Sequence, residues 1–190
     1  MKGEIINLWN SVNRPGVDKV IEFLNESDFF TAPCSTEFHL SRPGGLAEHS
    51  RNVFVLLDEK VKRYGLEDQI SRDTRVICGL GHDLCKANFY VIGTKNAKEN
   101  GVWKEKRIYK VEDQFPMGHG EKSVSILQDC IHLTEQEKLA IRWHMVAFDP
   151  GIHFFYPSGS AFRTAVNKHP LVTLLFTADY EASQILEASE

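Results

Sequence analysis

The segment Gly79-Leu80-Gly81-His82-Asp83-Leu84-Cys85-Lys86 decides how the rest of the chain is interpreted. It places a histidine directly before an aspartate, after an apolar stretch and three residues before a lysine. A carboxylate in apolar surroundings is costly unless it is paired, hydrogen-bonded or bound to a metal. Because a single His-Asp pair occurs by chance in many proteins, this pair indicates a metal site only if other helices supply matching ligands.

The composition is that of an ordinary globular protein. The chain has 190 residues, 42% of them apolar and 25% charged, which fits one domain over residues 1–190. A formal net charge of −4 argues against a general nucleic-acid or acidic-membrane coat. No run of about 18 apolar residues, secretory signal pattern or C-x-x-C pair is present. We therefore expect a cytoplasmic protein without a membrane span or a zinc ribbon.

Apolar residues recur at helical spacing through most of the chain, which predicts a mostly all-α domain. Residues 28–43 and 149–168 are rich in Pro, Gly, Ser or aromatic residues and are expected to form loops, with one short helical turn in the second segment. In the final helix the periodicity turns Ile185 and Leu186 toward the core. The predicted helices cover 4–13, a segment from Pro15, 44–64, and segments that begin near Ser71, His119, Thr134 and Pro170.

Residues 88–115 have a different pattern. Phe89–Ile92 and Arg107–Val111 resemble strands, and the turn-forming pair Asn100-Gly101 lies between them, so a β-hairpin is predicted. Residues 93–110 carry six Lys or Arg and two Glu. Two interpretations stay open: a solvated hairpin whose lysines discourage edge pairing, or a basic flap over an anionic substrate.

Several histidines and aspartates fall on apolar helix faces or at helix ends. A lone histidine on such a face is more often a hydrogen-bonded core residue, whereas a buried aspartate is rare unless it is paired or liganded. Four helices that each offer one or two such ligands are typical of a metal site in a helical bundle. Imidazole and carboxylate ligands favour Fe, Mn, Ni, Co, Zn or Mg. The candidate ligands are His49, His82, Asp83, His119, His144 and Asp179.

Lys86 and the four remaining histidines are not in this set of candidate ligands. Lys86 follows Asp83 by three residues, which favours a place on the same side of the chain. It is either a phosphate-binding cation or an ordinary surface lysine. The other histidines are expected to be solvent-exposed or to lie behind the ligands; they are His39, His132, His153 and His169.

The order of these residues resembles the HD-domain superfamily of metal-dependent phosphohydrolases. Its pattern is matched by His49 in Gly-Gly-Leu-Ala-Glu-His-Ser, by the doublet His82-Asp83, and by Asp179 in Thr-Ala-Asp-Tyr-Glu-Ala. The dinuclear branch adds two histidines, matched by His119 in Gly-His-Gly-Glu-Lys-Ser and His144 in Ile-Arg-Trp-His-Met. The match spans about residues 44–183, and the hairpin at 88–115 is an insertion that a minimal HD domain does not need.

The resemblance implies an HD-domain-like helical bundle with an inserted β-hairpin and one or two divalent metal ions. A first ion would be held by His49, His82, Asp83 and Asp179. Asp83 would bridge to a second ion at His119 and His144.

The resemblance also implies an activity. Asp83 and Lys86 are expected to be catalytic, and Lys86 and Arg163 to contact substrate. The expected reaction is hydrolysis of a phosphomonoester or phosphodiester in a small anionic substrate, a nucleotide or short oligonucleotide. Neither membrane binding nor stable binding of double-stranded nucleic acid is expected.

Two other functions remain compatible with the same residues. A di-iron oxygenase uses a similar ligand set in this superfamily, and iron-dependent oxygen consumption would identify it. A non-catalytic metal- or nucleotide-binding module would bind nucleotide tightly without turnover. The sequence does not choose the native metal, the oligomeric state or the exact substrate.

Overall fold

The structure, a computed structural model, describes residues 1–99, 101–146 and 161–188. This part of the chain is mostly helical with one two-stranded antiparallel hairpin, which confirms a mostly α fold with a β-hairpin. The helices are α1 Lys2–Asn10, α2 Val17–Glu26, α3 Gly45–Arg63, α4 Arg72–Gly81, α5 His119–Cys130, α6 Glu135–Trp143, α7 Ala161–Lys168 and α8 Pro170–Glu181. A 3₁₀ turn covers Leu84–Lys86, a π-helical turn covers Ala182–Leu186, and the strands are β1 Tyr90–Glu99 and β2 Val102–Val111.

Local sequence signals explain where three of the helices begin. The Ser71 side chain accepts a hydrogen bond from the Thr74 amide and caps α4. Thr134 and Glu137 form the predicted capping box at the start of α6, each side chain accepting from the other residue's amide. Pro170 is the first residue of α8, where its missing amide hydrogen has no helical partner to lose.

The core lies between α3, α4, α6 and α8, which pack against one another. Gly79 allows α4 to approach α3 closely, because a Cβ at this position would lie 2.5 Å from the Cα of Phe54 on α3. This approach brings the end of α4, which His82 follows, near the part of α3 that carries His49.

The hairpin is longer than predicted. Each strand has ten residues, and the register runs from Tyr90 opposite Val111 to Glu99 opposite Val102. Most of its side chains are exposed, because it projects from the helical core instead of packing into it. Consecutive polar residues, which put polar side chains on both faces, concealed much of the two strands in the sequence.

Two expectations for the C-terminal third need correction. Ile185 and Leu186 are 68% and 55% exposed, so the prediction that they face the core is wrong. The helix widens into a π-helical turn after α8, which rotates the following residues and buries Glu187 instead. Residues 161–168, in the segment expected as loop with one short helical turn, form the eight-residue helix α7. Residues 147–160, which include His153, lie outside the described part.

A search of the described residues for membrane-spanning segments found no helix of sufficient length and apolarity.

A buried ion pair between α6 and the α1–α2 connection contributes to stability. Glu137 is 0% exposed and accepts hydrogen bonds from Arg14, Thr74 and Thr134. We predict that Glu137→Ala lowers the free energy of unfolding by about 3 kcal/mol, because it leaves the Arg14 guanidinium without its partner. Urea denaturation measures this change. The control Glu22→Ala, at an exposed helical position, should unfold at the parental midpoint; equal midpoints for both variants would contradict the prediction.

Candidate metal centre

The six predicted ligands lie close together inside the helical bundle. His49 lies inside α3, His82 and Asp83 follow α4, and Asp179 lies in the last turns of α8. His119 is the first residue of α5, and His144 directly follows α6.

Asp83 is the centre of this cluster, and its two carboxylate oxygens face different histidines. Oδ1 lies 2.7 Å from His119 Nε2 and 3.4 Å from His144 Nε2. Oδ2 lies 3.5 Å from His49 Nε2 and 3.6 Å from His82 Nε2. All four imidazoles therefore present the same nitrogen, Nε2, to one carboxylate that is 2% exposed.

Asp179 completes the side of the cluster around Oδ2. Its Oδ1 lies 3.1 Å from His49 Nε2, and His49 Nε2 lies 3.3 Å from His82 Nε2. Within the described residues, possible ligand atoms lie within 4.8 Å of one another in several groups of three, among them His49–His82–Asp83 and His82–His144–Asp179. This spacing is short enough for one ion to be shared within each group.

The opposite nitrogen of three rings is held by an acceptor. His82 Nδ1 donates to the Gly79 carbonyl at 2.9 Å, and His144 Nδ1 donates to the Ile141 carbonyl at 2.6 Å. His49 Nδ1 donates to the Glu187 carboxylate at 3.0 Å. When Nδ1 carries the proton, a neutral imidazole has its lone pair on Nε2, which is how metal-binding histidines are oriented in proteins. The hydrogen bonds thus aim the lone pairs at the cluster.

The residues present fit a divalent cation. His144 Nε2 is buried and makes no hydrogen bond in the described structure, although it faces Asp83 Oδ1. A buried nitrogen without a partner is costly unless something else satisfies it. A nitrogen and oxygen donor set of this kind suits Mn, Fe, Co, Ni or Zn. The buried His and Asp side chains could therefore hold metal ions, as the sequence predicted.

The electrostatics of the cluster also suit a cation. Burial alone would raise the pKa of Asp83, but Lys86 and His82 hold it well below its ordinary value. Burial lowers the pKa of His82 to about 4, and burial also lowers the pKa of His119. Burial opposes protonation of His49 and His144 as well, but Cys34, Asp179 and Glu187 raise the pKa of His49 well above its ordinary value, and Asp83 raises the pKa of His144. Because metals bind the neutral imidazole and the ionised carboxylate, an ion that binds here would displace the protons of these two histidines.

A cavity of about 490 Å³ opens beside the cluster. Its walls include Asp83, Lys86 and Asp179 on the polar side and Phe176 and Tyr180 on the apolar side. A larger cavity of about 580 Å³ lies against the hairpin, and its lining includes none of the six clustered residues. The smaller cavity is the one that gives a ligand access to the buried carboxylates.

Lys86 and Arg163, the two predicted substrate contacts, differ in position. Lys86 Nζ lies 2.7 Å from Asp83 Oδ2, and the side chain is 12% exposed. Lys86 belongs to the 3₁₀ turn after α4 and lines the cavity. It is therefore not an ordinary surface lysine. Arg163 is exposed on α7 and is not among the described residues that line this cavity.

Glu187 and Cys34 lie near the centre and were not identified from the sequence. Glu187 is 4% exposed, and its carboxylate accepts a hydrogen bond from Nδ1 of His49, on the side of the ring away from Asp83. The Cys34 thiol lies 3.2 Å from His39 Nε2 and 3.6 Å from Lys86 Nζ. Cys34 and His39 belong to the irregular segment 28–43, where no periodicity indicates which side chains point inward. His39 itself agrees with its expected place behind the ligands.

Comparison of the chain with models of protein families, with curated proteins and with solved structures gave no match. The chemistry of this centre is therefore inferred from its own residues.

We predict that replacing a single histidine ligand lowers the number of metal ions bound per chain. Protein reconstituted with Mn²⁺ should carry about two ions per chain if Asp83 bridges two sites, and His119→Ala or His144→Ala should carry about one. Elemental analysis after gel filtration measures the ratio. His132→Ala, which removes an exposed histidine, is the control and should keep the parental content. Unchanged metal content in both ligand variants would remove His119 and His144 from the set.

We also predict a role for Glu187 in metal affinity. Glu187→Ala leaves His49 Nδ1 without its acceptor, and the loss of such a partner weakens metal binding by about 10- to 100-fold. Competition with a fluorescent chelator gives the dissociation constant. Glu181→Ala is a suitable control because Glu181 lies six residues away and pairs with Lys60 instead. If both variants bind metal as tightly as the parent, Glu187 does not support the site.

Proposed function

We propose that the protein is a metal-dependent phosphohydrolase of the HD type, acting on a phosphomonoester or phosphodiester in a nucleotide or short oligonucleotide. The observation that carries this proposal is the Asp83 carboxylate. One oxygen faces His119 and His144, and the other faces His49 and His82. A buried carboxylate between two sets of imidazole nitrogens is the arrangement expected of a bridging ligand in a two-metal site.

The six clustered residues would hold one or two divalent ions. When bound, the ions would act as Lewis acids toward a phosphoryl oxygen and lower the pKa of a water molecule. Oxygen and nitrogen ligands without thiolate are consistent with that role.

Lys86 supplies a fixed positive charge at the cavity. Although burial opposes its protonation, the neighbouring Asp83 carboxylate raises its pKa well above the ordinary value, so Lys86 is charged at neutral pH. An ammonium in this position can donate to a phosphoryl oxygen whose charge grows in the transition state. The same group donates to Asp83 in the structure described here, which holds it in place before substrate enters.

The cavity suits the organic part of such a substrate. Its volume of about 490 Å³ is within the range of small-molecule sites, about 300–1,000 Å³. Phe38, Phe176 and Tyr180 line it together with the carboxylates. Aromatic side chains next to a phosphate-binding end favour a phosphate ester that carries a planar base.

Access to the carboxylates favours catalysis over a purely structural metal. A structural site is closed by protein ligands, whereas a catalytic site keeps a position open for water or substrate. Asp83 and Asp179 both line the open cavity. The cavity therefore supports a hydrolase ahead of a binding module.

The test is hydrolysis of bis(p-nitrophenyl) phosphate, p-nitrophenyl phosphate and a panel of nucleotides by Mn²⁺-loaded protein. We predict that Lys86→Met lowers kcat by at least about 100-fold, because it removes a charge that acts in the transition state, while metal content stays at the parental level. Lys62→Met, at an exposed position of α3, should keep the parental kcat.

Two results would contradict these assignments. Parental kcat in fully loaded Lys86→Met would exclude the role of Lys86. An absence of turnover by loaded parent protein on the whole panel, together with tight nucleotide binding, would replace the hydrolase with the binding module.

A further inference from the structure

The hairpin has one strongly basic face. Side chains of paired residues in an antiparallel sheet lie on the same face, and successive residues alternate between faces. The register therefore places Lys95, Lys104, Lys106 and Lys110 together, with Gly93 and Ala97 between them. We call this set the lysine face; all four of its lysines are exposed.

The lysine face contains an unfavourable cross-strand pair. Lys95 lies directly opposite Lys106 in the register, and like charges in this position destabilise a two-stranded sheet. Glu37 lies 3.5 Å from Lys95, but both side chains are more than 60% exposed, and such exposed pairs contribute little. Charged side chains that keep a sheet edge from pairing with another strand can have either sign, so edge protection does not explain two lysines directly opposite each other. Binding of an anionic ligand to this face would explain them.

A groove borders part of this face. The cavity of about 580 Å³ lies between the hairpin and the loop 36–41, and Lys95 and Lys106 are the lysines of the lysine face that line it. The rest of its lining includes Thr36, Glu37 and Ser41 from the loop and Ile92, Arg107 and Tyr109, which the register places on the other face of the hairpin. The hydroxyl groups and lysines of this lining are suitable donors to phosphate oxygens.

The groove and the metal cavity share one wall. Thr36, Glu37 and Ser41 line the groove, while Phe38 and His39, from the same loop, line the cavity at the metal centre. A ligand that occupies both the groove and the metal cavity therefore needs to pass over this loop alone. Phe38 is 79% exposed and offers an aromatic surface at the crossing point.

The spacing of the lysines favours a polymer with repeating charge. Lys104 and Lys106 occupy alternate positions of one strand, about 6.8 Å apart along it. The protein as a whole has a net charge of −4, so a polyanion is attracted to the hairpin and repelled by the rest of the surface.

From these observations we propose that the lysine face and its groove bind the backbone of a single-stranded nucleic acid whose end enters the metal cavity. The proposal extends the proposed function by making an oligonucleotide, and not a free mononucleotide, the ligand that uses the whole surface. A single strand fits because an unpaired base can stack on an exposed aromatic ring, as on other single-strand-binding surfaces. A base in a duplex would have to leave its partner first.

The test separates binding from hydrolysis. Fluorescence anisotropy with a fluorescein-labelled 12-nucleotide oligothymidylate or oligouridylate is measured on full-length protein in excess chelator. We expect Lys95→Glu/Lys106→Glu to weaken binding at least tenfold and to reduce the slope of log K against log salt by about 1.4, about 0.7 for each lost phosphate contact. Lys19→Glu/Lys62→Glu changes the net charge equally at exposed positions away from the hairpin and should bind within twofold of the parent.

Further arms make the outcome decisive. Lys95→Ser/Lys106→Ser, which removes the charges without reversing them, should show the same direction of change with a melting temperature no lower than that of the parent, because it also removes the like-charge pair. Equal weakening in the Lys19/Lys62 control, or unchanged binding in both hairpin variants, would overturn the proposal. So would competition by polyglutamate that matches the unlabelled oligonucleotide, because an acidic protein would then be the ligand.

A separate readout distinguishes failure of this proposal from failure of the proposed function. Binding in chelator does not require turnover, so an inactive parent would leave the anisotropy result valid. In the loaded protein, bis(p-nitrophenyl) phosphate is too small to reach the groove, and its hydrolysis should be unchanged in the hairpin variants. If the hairpin variants lose hydrolysis of this small substrate in parallel with oligonucleotide binding, the proposal is overturned, because the lysines would then act through the metal centre and not through a separate surface.

Discussion

The buried carboxylate of Asp83 imposes the constraint on which the site depends. Moving an ionised carboxylate out of water costs several kcal/mol unless positive charge and hydrogen bonds replace the lost solvation. Here the Lys86 ammonium lies 2.7 Å from one oxygen of Asp83, and His119 Nε2 lies 2.7 Å from the other. These two contacts meet only part of that need, because the rings of His82 and His144 use their Nδ1 hydrogen for a backbone carbonyl and present a lone pair at Nε2. A divalent cation satisfies the carboxylate and the histidine lone pairs at once.

The scaffold serves this cluster by placing its ligands where backbone geometry is already fixed. His82 and His144 each follow a helix, and each ring donates to the carbonyl three residues earlier. That carbonyl has no helical partner at a helix end, so one hydrogen bond satisfies the backbone and orients the ring. Gly79 then determines how closely α3 and α4 approach. Any larger side chain at this position would push His49 and His82 apart.

The sequence predicted the parts of this arrangement that follow from local pattern. Helical periodicity placed His49 on the buried side of α3, and the capping box at Thr134 fixed the start of α6. It could not predict Glu187, because the π-helical turn before it shifts the buried side of the chain by a residue. Cys34 and His39 depend on a loop whose path is set by tertiary contacts. The length of the strands was hidden by polar residues on both faces, a pattern that a hairpin outside the core allows.

The hairpin is joined to the metal centre at its base. An isolated two-stranded hairpin is at best marginally stable in water, so its order depends on how its base is held. Tyr90 donates from its hydroxyl to the Cys34 carbonyl at 3.1 Å, and Asn88 and Asp28 exchange two side-chain to backbone hydrogen bonds. These bonds hold β1 against the segment that also carries His39. Residues 36–41 of that segment line both the groove and the metal cavity. The contacts at the base of the hairpin therefore fix where the lysine face lies relative to the buried carboxylates.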